Sequence, residues 1–201
     1  MSKKLTIITI TLLAALAGAL FYIYTPKAPT HAKSLAQPRP LTTKGMATLD
    51  GLALKDYLKG KWTILSFGFT DCPDICPKTL MTFKQMRQRG EKLGLSSVQF
   101  AFVTVDPQKD TKEKLKVYIP YFDNKITGIR GSLEATKEFA LSLASSFGRD
   151  KKTKAIYHTE NFYLIDPEGR WAAYIRPREL SGKVIYDDLN LARLKSRKGF
   201  F

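Results

Sequence analysis

Apolar residues in this chain come in three textures, and each predicts a different kind of element. The first is a charge-free block, LTIITITLLAALAGALFYIY, over residues 5–24. Twenty helical residues at about 1.5 Å each span about 30 Å, the hydrocarbon thickness of a bilayer, so the block predicts a transmembrane helix. The second texture is the short, dense run rich in β-branched and aromatic residues. KWTILSFGF (61–69), SSVQFAFVTVD (96–106) and ITGIRG (126–131) read as strands, the first two buried on both faces. The third is helical spacing. Residues 76–91 form a helix with Leu80, Phe83, Met86 and Leu93 as its buried stripe and Gly90 weakening its end. Residues 110–122 open on Asp110 or Thr111 as N-cap and are cut short by Pro120. Residues 132–148 run from Ser132 as cap to Gly148 as stop, and 181–198 form a closing helix. Residues 161–177 read as a β-hairpin turning at DPEG, and 46–61 as an added hairpin or edge strand.

Strands and helices therefore alternate three times, then give way to a hairpin and a last helix. Alternation predicts parallel strands covered by helices. A late antiparallel hairpin makes it the thioredoxin arrangement. The expected fold is α/β and thioredoxin-like, with an N-terminal strand or hairpin extension and a single N-terminal transmembrane helix. Residues 1–24 would be the anchor, 25–44 a linker and 45–201 the domain. The linker, TPKAPTHAKSLAQPRPLTTK, has four prolines, four basic residues and no acid, the composition of a semi-extended tether. His31 reads as a solvated residue within it.

Lys3 and Lys4 precede the apolar block, and Tyr22 and Tyr24 close it. Lysines hold that end in the cytoplasm and send the rest across, with the tyrosines at the far interface. The alternative is a cleaved signal peptide with THA (30–32) as its cleavage site, although that lies beyond Pro26 and Pro29. Either way the domain is exported; the uncleaved anchor places the chain in the inner (cytoplasmic) membrane, single-pass, with its soluble part on the far side.

A hydrophobic content of 44% suits a packed core, and two cysteines are too few for a disulfide-stapled scaffold. No repeat of solenoid length occurs. The net charge is +15, and residues 45–201 carry 27 basic against 18 acidic residues. The basic residues are scattered, with a modest cluster in RLKSRKGFF, and no nucleic-acid-reading motif accompanies them. For an exported domain this excludes nucleic acid and points to solubility, anionic lipid or an acidic partner surface.

The chemistry concentrates in SFGFTDCPDICPKTL (66–80), which holds both cysteines, Cys72 and Cys76. They lie where a central strand hands over to a helix, at the carboxyl edge where α/β sheets place their sites. A helix N-terminus there favours thiolate. Residues four apart on a helical turn have Cα atoms about 6 Å apart, within disulfide range. His158, the only histidine in the folded part, precedes the hairpin strand, where a thioredoxin-like fold carries a cis-proline beside its cysteines. No proline lies between residues 154 and 166. Two thiolates and an imidazole suit Cu(I), or Cu(II) with a Cys/His set. Asp71 or Asp74 offers a fourth ligand for zinc. Thiol redox chemistry and a structural disulfide stay open beside metal binding. Asp106 and Asp110 read as turn and helix-cap residues, Phe67, Phe69 and Phe83 as core. Trp171 and Tyr174 are either core or a docking patch.

FGFTDCPDICP (67–77), VTVDPQKDT (103–111) and HTENFYLIDPEG (158–169) together resemble, in order and spacing, the Sco/SenC family of copper chaperones. The resemblance covers about residues 45–195 and the anchor. It implies copper bound by Cys72, Cys76 and His158, with a Cys72–Cys76 disulfide as the alternative state. It also implies a carrier that delivers copper to, or prepares the thiols of, the dinuclear copper site of cytochrome c oxidase. The implied partners are the oxidase's copper-site subunit, other copper chaperones or thioredoxin-like reductants, and the membrane through residues 5–24. The alternative is a tethered thiol–disulfide oxidoreductase. Two positions depart from the family pattern: Asp71, where many members have histidine, and Tyr157, where many have an aspartate able to orient the histidine. Asp71 would raise the thiol pKa values, and Tyr157 would alter copper affinity or histidine mobility.

Overall fold

The computed structural model describes residues 3–24, 31–93, 98–177 and 180–197. The linker start at 25–30, the first residues of the 96–106 run and the last of the basic tail lie outside them. A seven-stranded sheet in the order β1-β9-β8-β3-β4-β5-β2 forms the centre. Its middle is β3 (Trp62–Gly68), β4 (Val98–Thr104) and β5 (Ile126–Gly131), paired in parallel as the alternation requires. The hairpin β8 (Phe162–Ile165) and β9 (Arg170–Ile175) adds antiparallel to β3. This is the thioredoxin-like topology that the order of elements predicts.

Side chains alternate across β3. Trp62 and Ile64 face one core with Leu80, Phe83, Met86, Phe100 and Phe102. Leu65 and Phe67 face the other with Val103, Phe139 and Tyr163. The first face is covered by α3 (Ile75–Lys92), α4 (Lys112–Phe122) and α6 (Gly182–Arg197), the second by α5 (Leu133–Ser142) and the short α2 (Leu54–Tyr57). Gly90 closes a packing contact rather than loosening a helix end: a Cβ there would stand 2.7 Å from the Tyr186 hydroxyl of α6. Trp171 is core, only 4% exposed.

Several boundaries differ from the sequence reading. Leu93 is the C-cap of α3 and is exposed, so it does not belong to the buried stripe. Pro120 sits inside α4, which runs on to Phe122, because a proline so near the end forfeits only one late hydrogen bond. Ser132 does cap α5, accepting from the Ala135 amide, but the helix stops at Ser142. Gly148 instead lies in β6 (Phe147–Arg149), which pairs antiparallel with β7 (Ile156–His158) in a ribbon of its own. The tether reading of 25–44 also fails in part. Residues Lys33–Pro40 form β1, antiparallel to β9 at the sheet edge, with a register irregularity between Ser34 and Arg39. An edge strand tolerates Pro38 and Pro40 because their missing N–H groups need not face a partner. β2 (Met46–Thr48) is the other edge, against β5. The exposed His31 is tied down by its backbone, its N–H donating to Asp188 at 2.7 Å.

The N-terminal block is helical as expected: α1 spans Lys3–Tyr24. Its side chains are described from residue 7 to residue 20, about 21 Å of helix. Among the fully described residues no helix is long and apolar enough to cross a membrane.

Candidate metal and thiol site

The end of β3 delivers the chain to the site and α3 leaves it. Cys72 lies in the intervening loop, half-buried, and Cys76 in the first turn of α3, fully buried; both are free thiols. The helix opens with an amide donated to sulfur: the Cys76 N–H points at Cys72 Sγ, 3.4 Å away. Asp74, at the N-cap position, makes no side-chain cap bond and pairs with Lys78 instead, at 2.6 Å. Cys76 Sγ accepts from the Phe69 amide at 3.4 Å.

Gly68 makes room for this sulfur. A Cβ there would meet Phe102 at 2.5 Å and Cys76 Sγ at 3.0 Å. A glycine ending a buried strand is the sequence signal for such an approach, and the sequence reading passed over it.

His158, at the end of β7, brings Nε2 to 3.8 Å from Cys76 Sγ. Its Nδ1 faces the Thr159 carbonyl at 3.2 Å, so the proton belongs on Nδ1 and the Nε2 lone pair faces the sulfur. The ring meets Phe69 edge-on, centroids 6.1 Å apart. Sulfur and nitrogen bound to one metal at about 2.3 and 2.0 Å, and 120° apart, would be separated by about 3.7 Å. The observed spacing fits that requirement. The trio is open as it stands: among the described residues no three His, Cys, Asp or Glu side chains already form a metal-holding group.

Burial pushes the Cys76 thiol well above its ordinary value; the Phe69 amide opposes the rise, and Cys72 and Asp110 add to it. The helix-terminus argument predicts the opposite direction for a thiol here. It is overridden because Cys76 is fully enclosed and desolvation penalises its anion. Burial also lowers the His158 pKa, with the Thr159 carbonyl and Glu160 acting against it.

The acidic neighbours rearrange the expected roles. Asp71 is half-exposed and pairs with Lys114 at 2.6 Å and Lys109 at 4.0 Å. Its carboxyl is held below the usual range chiefly by the Lys114 hydrogen bond. Asp110 is the carboxylate that adds to the rise of the Cys76 thiol, behind burial and Cys72. It does not cap α4, whose cap is Thr111. It is 1% exposed and accepts from the Thr70 amide at 3.2 Å, from the Thr70 hydroxyl, and from the Thr104 hydroxyl at 2.5 Å. Asp110 thereby pins the first residues of the cysteine loop. Nothing in the local sequence distinguishes it from a turn aspartate. Tyr157 is exposed and crosses β6, its hydroxyl lying where a Cβ on Gly148 would be, at 2.5 Å. The orienting acceptor for His158 is therefore the Thr159 carbonyl. The Tyr118 hydroxyl of α4 is buried with no hydrogen-bond partner.

The sheet is thioredoxin-like, with two free thiols at its carboxyl edge and an imidazole beside one of them, a donor set that suits thiol-based metal or redox chemistry. Residues 46–192 match the SCO1/SenC family model, and the chain belongs to that family. The human mitochondrial SCO1 homolog is 31% identical over 135 residues, 65% of this chain and 44% of that protein. The cattle mitochondrial SCO2 homolog is 35% identical over 140 residues, 67% of this chain and 52% of that protein. The chain thus matches about half the length of these curated relatives. Among solved structures, Arabidopsis thaliana ScoI with copper bound superposes with a TM-score of 0.67 at 29% identity, covering 74% of this chain and 95% of that one.

Proposed function

We propose that this protein is a membrane-tethered copper carrier. Cys72, Cys76 and His158 bind copper, and the domain hands it to, or prepares the thiols of, the dinuclear copper site of cytochrome c oxidase. One observation carries the reading: the buried Cys76 sulfur and His158 Nε2 face each other at 3.8 Å. Cys72, hydrogen-bonded to the Cys76 amide, supplies the second sulfur beside them. Copper bound in a member of the same family, in Arabidopsis thaliana, supports the choice of metal. Each thiol releases its proton to solvent as its sulfur binds, so loading requires reduced cysteines and strengthens as pH rises. The half-buried Cys72 is the accessible sulfur, from which ligand exchange with a partner starts. The apolar α1, with Ile7, Ile10, Leu13 and Leu16 exposed, anchors the chain in the cytoplasmic membrane and leaves the domain on the exported side.

The test is copper titration of the reduced protein against a competing chelator. We expect one copper per chain, loss of binding in Cys72→Ser, and retained but weakened Cu(I) binding in His158→Ala. The absence of stoichiometric binding, or binding indifferent to Cys72→Ser, would reject the carrier. A second reading, thiol–disulfide exchange with partner cysteines, draws on the two free thiols four residues apart, where the Cys76 amide donates to the Cys72 sulfur. It predicts turnover of a disulfide substrate that needs both cysteines and is unchanged by His158→Ala.

A further inference from the structure

The thiols and the imidazole reach the site on segments that share no sheet. Cys72 and Cys76 ride on the central sheet and α3. His158 rides on the β6–β7 ribbon, two strands of three residues each, set apart from the seven-stranded sheet. A two-stranded ribbon of that size has little stability of its own, so its position over the thiols must be imposed from outside.

At its root the ribbon is closed by Ser146 and Thr159, the Thr159 amide donating to the Ser146 carbonyl at 2.9 Å. Phe147 and Ile156 pack against the second core, and the other end also carries a charge. Arg149 pairs with Ile156 across the ribbon, and its guanidinium points two ways. Nη1 donates to the Lys154 carbonyl at 3.1 Å, which secures the ribbon's own turn. Nη2 donates to Asp106 Oδ2 at 2.9 Å, which secures the ribbon to the body of the domain. Asp106 is 5% exposed, on the segment that leaves β4. Its carbonyl accepts from the Lys109 and Asp110 amides at 3.1 and 2.8 Å. Arg130 of β5 braces the same segment by donating to the Pro107 and Asp110 carbonyls at 2.8 and 3.1 Å. The segment therefore grips both halves of the site. Asp110 holds Thr70 of the cysteine loop, and Asp106, four residues earlier, holds the histidine ribbon.

We propose that the Asp106–Arg149 ion pair is the latch that sets His158 within ligand reach of Cys76, making residues 105–111 one bracket for both sides of the site. This rests on the copper reading above. Asp106 and Arg149 touch neither the thiols nor the imidazole and are positioning residues. An exposed ion pair would contribute little. This one differs because the Asp106 carboxylate is enclosed, and removing the guanidinium strands it.

The test uses the full chain in detergent, with wild type, Arg149→Ala, Arg149→Lys and His158→Ala. Without metal, amide hydrogen exchange is read over the ribbon and over β3 and β4. We expect exchange at residues 147–158 to quicken about tenfold or more in Arg149→Ala, with β3 and β4 unchanged and substantial recovery in Arg149→Lys. With Cu(II), Arg149→Ala should keep one copper per chain and its sulfur-to-copper absorption while losing most of the nitrogen hyperfine coupling that His158→Ala abolishes. Unchanged ribbon exchange together with wild-type nitrogen coupling in Arg149→Ala overturns the latch. If Arg149→Ala unfolds, shown by faster exchange in β3 and β4 as well, Arg149→Gln is judged by the same two outcomes. A wild type that binds no copper rejects the carrier reading instead, and ribbon exchange still decides the latch.

Discussion

Cys76 is buried and His158 half-buried at the same spot, and desolvation acts on them in opposite directions along the pH scale while favouring the neutral form of each. The metal-free site therefore holds a protonated thiol facing a neutral imidazole. For His158 the consequence for stability has a definite sign. The unfolded ring protonates near its ordinary value of 6.5 while the folded ring, with its lowered pKa, resists. The unfolded state then binds more protons, so stability rises with pH. Urea unfolding of the metal-free protein should show stability falling as pH drops from about 7 to about 5, and His158→Gln should flatten that slope. An equally steep slope in the variant would assign the effect to another group. Gly68 makes the second prediction at this scale. A methyl group there meets Phe102 and the Cys76 sulfur together, so Gly68→Ala should lose about 1–3 kcal/mol by overpacking. It should also weaken copper binding, in a titration where a control at the exposed Val117, Val117→Ala, does not. Asp110 shows where residue-level reading stops. DPQKD reads as a turn with a helix cap, and only the fold reveals that its last carboxylate reaches back 40 residues to Thr70.

Among the elements, those with a strong internal pattern were legible and those assembled from pairing partners were not. The apolar runs of β3 and β4 bury both faces of a central strand, and their β-branched and aromatic content marks them as strands. Ser132 caps α5 as its sequence predicts, the hydroxyl accepting the amide three residues on at 3.1 Å. Ser132→Ala should therefore cost about 1 kcal/mol in chemical unfolding, and Ser132→Asp should restore it. The far end of the same helix was misplaced. The helix stops at Ser142, the chain turns through Ala144 at φ 47°, and Gly148 becomes a strand residue under the Tyr157 ring. The β6–β7 strands are three residues each, too short to show a period of two. The element that carries His158 was for that reason invisible, although His158 itself was not.

For the whole molecule, the decisive correction concerns β1. A proline-rich, acid-free stretch reads as a tether, and residues 33–40 instead complete one edge of the sheet beside β9. Edge pairing depends on a neighbour's exposed hydrogen-bonding groups, which a local composition does not report. A fragment of residues 31–201 should therefore fold as the intact domain does. One of residues 45–201 should unfold at lower urea, with Trp171 fluorescence shifted toward that of an exposed indole, because β9 has lost its cover. Equal midpoints for the two fragments would show that β1 adds nothing and that the tether begins to matter only beyond it.

The chain alone determined whatever rests on local pattern or on residue chemistry: the parallel centre, the covering helices, the late hairpin, and Cys72, Cys76 and His158 as the residues to watch. Three linear motifs in order carried the family. Tertiary structure decided how far apart those residues stand, which of the thiols is enclosed, which carboxylate pins the cysteine loop, and what the ribbon packs against. Those are questions of desolvation and of partners distant along the chain, and neither is encoded within any window of neighbouring residues.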